Sequence, residues 1–286
     1  MKKSNNKTGY SLYELAIVIL IIGTLIVGVS QGYNLVYLSR VSNARGVTAK
    51  SPISQIAGLI AWYESSLKES FLINQISNGS QLTNWKDVSS SSLLANANIL
   101  TTTASNAVKF SNSGPNKLPA ILFSNGKISI ASLSSGNTSQ ATIFIVFKYT
   151  SSPTATYQTL FDGASANFYI AVNNNSVQLN AGTSATTTSS TAFNNSKSYI
   201  LVAYMNSSGS KVYVNNNDST FGATATLNIG TNNLTGISLG KSNTNALPFY
   251  GHLSEVIVFN KIIKAPERKE IFNYLSKKYN IEVTGL

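Results

Sequence analysis

From Tyr10 to Val29 the chain runs for about twenty residues with a single charge, Glu14. At 1.5 Å per residue a helix of that length spans about 30 Å, the thickness of a hydrocarbon core. The stretch therefore predicts a membrane-spanning helix, with the segments before and after it on opposite sides of a bilayer. Lys2, Lys3 and Lys7 precede it. The positive-inside rule then places the N-terminus in the cytoplasm and the chain beyond about residue 30 outside. A carboxylate in an apolar span costs about 2.5–3.5 kcal/mol on insertion scales, so Glu14 needs a partner or a function, unless it sits at the headgroup level. A secretory signal peptide would carry a small-residue cleavage site after the apolar run, and Ser30, Gln31 and Gly32 make a poor one. A plain signal anchor leaves Glu14 unexplained.

Beyond Ser30 the apolar residues thin to Tyr33, Val36, Tyr37, Val41, Ala44 and Val47, at spacings near three and four. This predicts that the helix continues as an amphipathic stem. Pro52 disfavours helical geometry at Ser51 and marks a stop or kink. The expected organisation is residues 1–9 as a leader, 10–54 as a transmembrane and stem helix, and 55–286 as a separate domain.

In that last region the pattern alternates. Residues 141–149, 168–172, 177–179, 198–204, 211–214, 236–239 and 253–259 read as strands, separated by turn formers at Asn125-Gly126, Asp162-Gly163, Asn173 to Asn175 and Ser208-Gly209. Although Asn, Ser, Thr and Gly abound and charged residues are only 11%, the 43% hydrophobic content recurs in these runs and can build a core. Residues 265–279 predict a closing helix, with Pro266 in its first turn, acids early, lysines late, and Ile271, Phe272 and Leu275 on its packed face. The fold class expected is mainly β: a long N-terminal α-helix, then an antiparallel β-sandwich or jelly roll with a short C-terminal helix.

The basic leader ending at Gly9, the aromatic Tyr10 and Glu14 together resemble the N-terminal segment of the type IV prepilin and pseudopilin family. The resemblance implies cleavage after Gly9 by a prepilin peptidase and N-methylation of Tyr10. It also makes Glu14 the fifth mature residue, paired with the N-terminal amine of a neighbouring pilin-like subunit. The family usually has Phe where this chain has Tyr10. The rest of the chain resembles LamG-like members of the concanavalin A-like lectin/glucanase superfamily. The likeness lies at Ile56 to Glu64, Trp85 to Asp87, Leu118 to Phe123, Tyr250 to Phe259, and Glu267 through Tyr279. Some such domains bind Ca²⁺, which makes Asp162 and Asp218 candidate ligands; no other cofactor is expected. Trp62 and Trp85 are expected in the core rather than as ligand platforms.

The inventory restricts the chemistry. With no cysteine and one histidine, His252, thiolate and multi-histidine sites are excluded. A glycosidase needs two carboxylates facing each other across a bond. None of the ten acids stands at the alternate strand positions that glucanases use, although a pair from two strands stays open. The chain is expected not to be an enzyme, and His252 to lie at a strand edge or surface. Of the +11 formal charge, Lys261, Lys264, Arg268, Lys269, Lys277 and Lys278 cluster near the closing helix. They read as a basic helix face rather than a nucleic-acid groove.

The expected function is a pilin-like subunit, minor or pseudopilin. It would wait in the inner (cytoplasmic) membrane, then assemble into a surface filament or periplasmic pseudopilus. Its outer domain would serve adhesion to a glycan or a surface protein. Rival readings are a membrane-anchored lectin-like protein that never polymerises, a glycan hydrolase, and DNA uptake resting on charge alone.

Overall fold

A computed structural model describes residues 11–89, 98–102, 107–164, 167–183, 185–187, 192–215, 217–219 and 229–285, without the side chains of Ser30 and residues 217–219. The chain forms two compact units, one up to Ser42 and one from Asn43 onward. Helix α1 spans Leu12–Thr48. From Leu12 to Val29 every side chain on it is exposed.

The second unit is a two-sheet sandwich. Its strands are β1 (Leu59–Glu64), β2 (Asn84–Trp85), β3 (Leu100–Thr101), β4 (Val108–Ser111), β5 (Ala120–Ser124), β6 (Ile128–Ile130), β7 (Ala141–Tyr149) and β8 (Gln158–Asp162). They continue with β9 (Phe168–Val172), β10 (Val177–Ala181), β11 (Thr186–Thr187), β12 (Ser198–Met205), β13 (Lys211–Val214), β14 (Asn217–Ser219), β15 (Ile237–Leu239) and β16 (Tyr250–Phe259); helix α2 (Ala265–Tyr279) follows. The first sheet runs β14-β13-β12-β7-β16-β5-β4, with β1 also on β16; the second runs β11-β10-β9-β8-β15-β6-β3-β2. All the strand pairings in both sheets are antiparallel.

Strand alternation builds the core. Ile143, Ile145 and Phe147 of β7 and Leu201 of β12 face Ile170, Leu179 and Leu239 of the second sheet in one buried cluster. Phe193 packs edge-on to Tyr199 at 4.8 Å, and Phe147 stacks on Tyr199 at 5.4 Å. Full burial of each phenylalanine in the cluster contributes about 1.5–3 kcal/mol before entropy. Trp85 is fully buried, 5.7 Å from Tyr63 and 6.3 Å from Phe71. The Asn173–Asn175 turn joins the paired strands β9 and β10, and the Ser208-Gly209 turn joins β12 and β13. Gly240 leaves β15 at φ +83°, where a Cβ would lie 2.1 Å from the Phe123 ring, so the position admits only glycine.

Helix α2 covers part of the outer face of the first sheet. Phe272 meets Phe144 at 6.0 Å, and Ile271, Phe272 and Leu275 are fully buried, as their spacing predicts. At its start Glu267 Oε2 accepts from the backbone N–H of Lys264 at 2.6 Å. Asn280 ends it in the left-handed conformation.

Candidate functional site

At the start of α1, Ser11 N–H donates to Glu14 Oε2 at 2.8 Å, and Glu14 N–H donates to Ser11 Oγ at 3.2 Å. This reciprocal pair is a capping box, which satisfies two otherwise orphaned backbone donors. The pattern Ser-x-x-Glu stands openly in the sequence, yet sequence reasoning had not assigned it. Gly9 and Tyr10 lie outside the described residues. By length and composition α1 is long and apolar enough to cross a membrane.

Under α2 lies a cluster that no local spacing announces. Glu64 of β1 stands opposite Glu255 of β16, and Lys278 enters between them from α2. Its Nζ is 2.5 Å from Glu64 Oε1 and 2.8 Å from Glu255 Oε2, and none of the three side chains is exposed. Glu255 Oε1 also accepts from Trp62 Nε1 at 2.7 Å and Tyr274 OH at 2.8 Å, while its Oε2 accepts from Tyr279 OH at 2.9 Å. Glu64 accepts the backbone N–H groups of Ser66 and Leu67, each at 2.8 Å. Burial, helped by the charge of Glu64, raises the Glu255 carboxyl, and Lys278 opposes that rise. The two-strand carboxylate pair thus exists, but it faces a lysine inside the protein. Lys278 correspondingly leaves the basic face expected of α2. Of the other cations there, Arg268 stacks 3.9 Å over Tyr213 and Lys261 pairs with Glu267 at 3.3 Å.

The remaining motif residues also hold structure. Asp87 Oδ1 accepts from the N–H groups of Trp62 (2.9 Å) and Ser89 (2.8 Å), and Oδ2 accepts from Asn98 Nδ2 at 3.1 Å. Burial raises its carboxyl, and these donors hold the rise in check. His252 is not a surface residue: it is 6% exposed, with Nε2 3.0 Å from Ser111 Oγ. Its Nδ1 has no partner among the described residues, so the pair lacks the carboxylate that orients a catalytic histidine. Burial first, and the charge of Lys148 second, lower the imidazole to about 4.

Asp162 ends β8. Its Oδ1 accepts Ala164 N–H at 2.9 Å and its Oδ2 accepts Asn243 N–H at 3.0 Å. A Ca²⁺ cage offers six to eight oxygens. Both Asp162 oxygens are engaged by backbone N–H donors, as turn formation requires. Among the described residues no group of three or more His, Cys, Asp or Glu side chains gathers to hold a metal. The side chain of Asp218, on β14, lies outside the described residues.

The outer face of the second sheet is polar where that of the first is apolar beneath α2. Phe168, Ile170 and Val172 of β9 and Val177 and Leu179 of β10 turn inward, so alternation sends Tyr169 and Gln178 outward. Both are partly exposed, and Tyr169 OH donates to Gln178 Oε1 at 3.1 Å. Beside them Tyr157 OH lies 2.8 Å from Ser176 Oγ and 3.4 Å from Thr187 Oγ1. Two tyrosines, an amide and hydroxyls thus share one polar surface, with Asp162 the cross-strand partner of Tyr169.

No family model matches the chain, and no characterised protein matches it by sequence. Among solved structures it is similar to the binding domain of Paraclostridial Mosquitocidal Protein 1, at 13% identity and a TM-score of 0.52, over 79% of this chain and 53% of that one. It is also similar to domain 4 of AbnA, a GH43 extracellular arabinanase from Geobacillus stearothermophilus, in complex with arabinotriose. There the identity is 14% and the TM-score 0.48, over 76% of this chain and 97% of that one. A third is Trypanosoma rangeli sialidase with the inhibitor DANA, at 14% and 0.48, over 78% of this chain and 33% of that one. The chain spans about half of the toxin chain and a third of the sialidase. At such identities the shared feature is the fold: the second unit is a two-sheet antiparallel sandwich of the kind found in the toxin's binding domain.

Proposed function

We propose that this chain is a type IV pilin-like subunit. Its α1 waits in the inner membrane and then packs among other pilin-like subunits, and its sandwich displays a glycan-binding face outside the cytoplasm. The observation that carries the proposal is α1 itself, exposed and apolar on every side from Leu12 to Val29, with one carboxylate in its first turn. A helix of that kind is stable only in lipid or against other apolar helices. A prepilin peptidase would cut after Gly9. The amine freed at Tyr10 would then lie one turn from Glu14, in reach of the carboxylate of a neighbouring copy. For the ligand, sugars present an apolar C–H face rimmed with hydroxyls. Tyr169 supplies an amphipathic ring and Gln178 and Tyr157 supply hydrogen-bonding groups on a polar surface.

One observation favours a second reading, a non-polymerising membrane-anchored binding protein. Glu14 already has a local task in capping its own helix through Ser11. Intact-mass and N-terminal analysis of the protein expressed beside a prepilin peptidase separates the two. A chain starting at methylated Tyr10 supports the pilin-like subunit, and an uncut Met1 leaves the anchored protein. For the outer face, Tyr169→Ala is expected to lower glycan retention at least tenfold on a polysaccharide panel with unchanged thermal stability. Equal retention by the variant removes that face from consideration.

A further inference from the structure

We propose that Lys278 and Glu64 condense into an intramolecular amide bond, with Glu255 as the proton carrier. Three observations converge on this. The first is approach: Nζ lies 2.5 Å from Glu64 Oε1, and covalent geometry then places it about 3 Å from the Glu64 carboxyl carbon, within the span of reacting atoms. The second is composition: two carboxylates share one ammonium with no solvent access. Separated charge is expensive in a dry interior. A proton shared within the cluster, which yields a neutral amine and a neutral acid, is correspondingly less costly there than in water. The third is a division of labour between the two acids. The Glu64 carboxyl receives two backbone N–H groups, Ser66 on Oε1 and Leu67 on Oε2, placed to stabilise negative charge growing on its oxygens. Glu255 is held by Trp62, Tyr274 and Tyr279, with Oε2 towards Nζ at 2.8 Å.

The step balances without cofactor or redox partner. Lys278 passes one proton to Glu64 Oε1, giving the free amine and the neutral acid. Nζ attacks the carboxyl carbon, the N–C bond forms, and the carbonyl electron pair moves onto Oε2 beside the Leu67 N–H. Glu255 Oε2 takes a proton from Nζ and delivers it to the Oε1 hydroxyl. The C–Oε1 bond breaks as the carbonyl reforms, and one water leaves. Glu255 ends as the carboxylate it began as, still bonded to Trp62, Tyr274 and Tyr279. A buried ammonium and a buried carboxylate are replaced by a neutral amide. The bond joins β1, the first strand of the sandwich, to α2, its last helix, across 214 residues of sequence. Tension on α1 then meets a sandwich whose two ends are covalently closed.

The experiment is intact-mass spectrometry of the full chain, purified in detergent and denatured, followed by tryptic mapping. The expected mass is lower by one water than the sequence counted from the observed N-terminus. The map should show no cleavage after Lys278 and a branched peptide joining the Glu64 and Lys278 segments. Glu255→Gln keeps the side-chain shape but cannot accept the proton, and is expected to show the full mass. Full mass with linear peptides in the wild type overturns the bond, whether or not the variant folds. So does a water loss mapped elsewhere, for example to a succinimide at Asp162-Gly163. A branch on Glu255, or a cross-linked Glu255→Gln, overturns the roles assigned to the two acids.

Discussion

His252 shows how much a single side chain's surroundings alter its chemistry. Its imidazole sits on β16 beside Ser111, nearly sealed from water and near the charge of Lys148, and titrates at about 4 instead of 6.5. Between those values the unfolded chain binds a proton that the folded one refuses. This share of stability is whole above pH 6.5 and is lost as pH falls through the window to 4. The shift is worth about 3 kcal/mol. Asp87, Asp162 and Glu255, all raised by burial, act in the opposite direction, so the contribution must be isolated by substitution. His252→Leu is expected to flatten the loss of stability on acidification, read as urea midpoints at pH 7 and pH 4. Parallel curves for wild type and variant would show that the histidine is not protonated on unfolding in that range.

At the level of elements, α2 is where local pattern and tertiary contact part company. Its limits were legible: Pro266 in the first turn, Glu267 and Glu270 early, and an apolar spacing at Ile271, Phe272 and Leu275 that the structure buries. Lys278 was not. In sequence it belongs with the solvated lysines, because its partners stand on strands 23 and 214 residues away. Removing it leaves two buried acids without a counter-charge. Lys278→Met is therefore expected to cost about 3–5 kcal/mol in denaturant unfolding. Converting Glu64, Glu255 and Lys278 together to apolar residues of similar volume removes the unpaired charge, so the stability still missing from that variant measures the cross-link between β1 and α2. A single substitution that costs less than about 1 kcal/mol would show that water reaches the site. β1 and β16 illustrate the same division: each reads as a strand alone, but nothing local says that Glu64 and Glu255 face each other.

For the whole molecule the open question is whether Glu14 serves its own helix or a neighbour's amine. Ser11→Ala removes the cap's hydroxyl, at about 0.5–2 kcal/mol of helix stability, and leaves the carboxylate in place. Glu14→Ala removes both roles, and Gly9→Ala is expected to block cleavage. If Glu14 pairs between subunits, Ser11→Ala should assemble normally, and Glu14→Ala should be processed but absent from sheared filaments. Equal assembly by the two variants would assign Glu14 to capping alone.

Sequence by itself determined what depends on neighbours along the chain. An unbroken apolar run needs no partner to declare its length, a strand such as 211–214 announces its inward face by alternation, and Asn- and Gly-rich turns separate the strands. Tertiary structure alone decided what depends on residues brought together across the fold. It buried Asp87 and His252 under contacts from distant strands and joined Glu64, Glu255 and Lys278 in one dry cluster. The physical reason is range: backbone conformation responds to the next few residues, whereas burial and charge pairing are set by whichever segments the two sheets and α2 bring into contact.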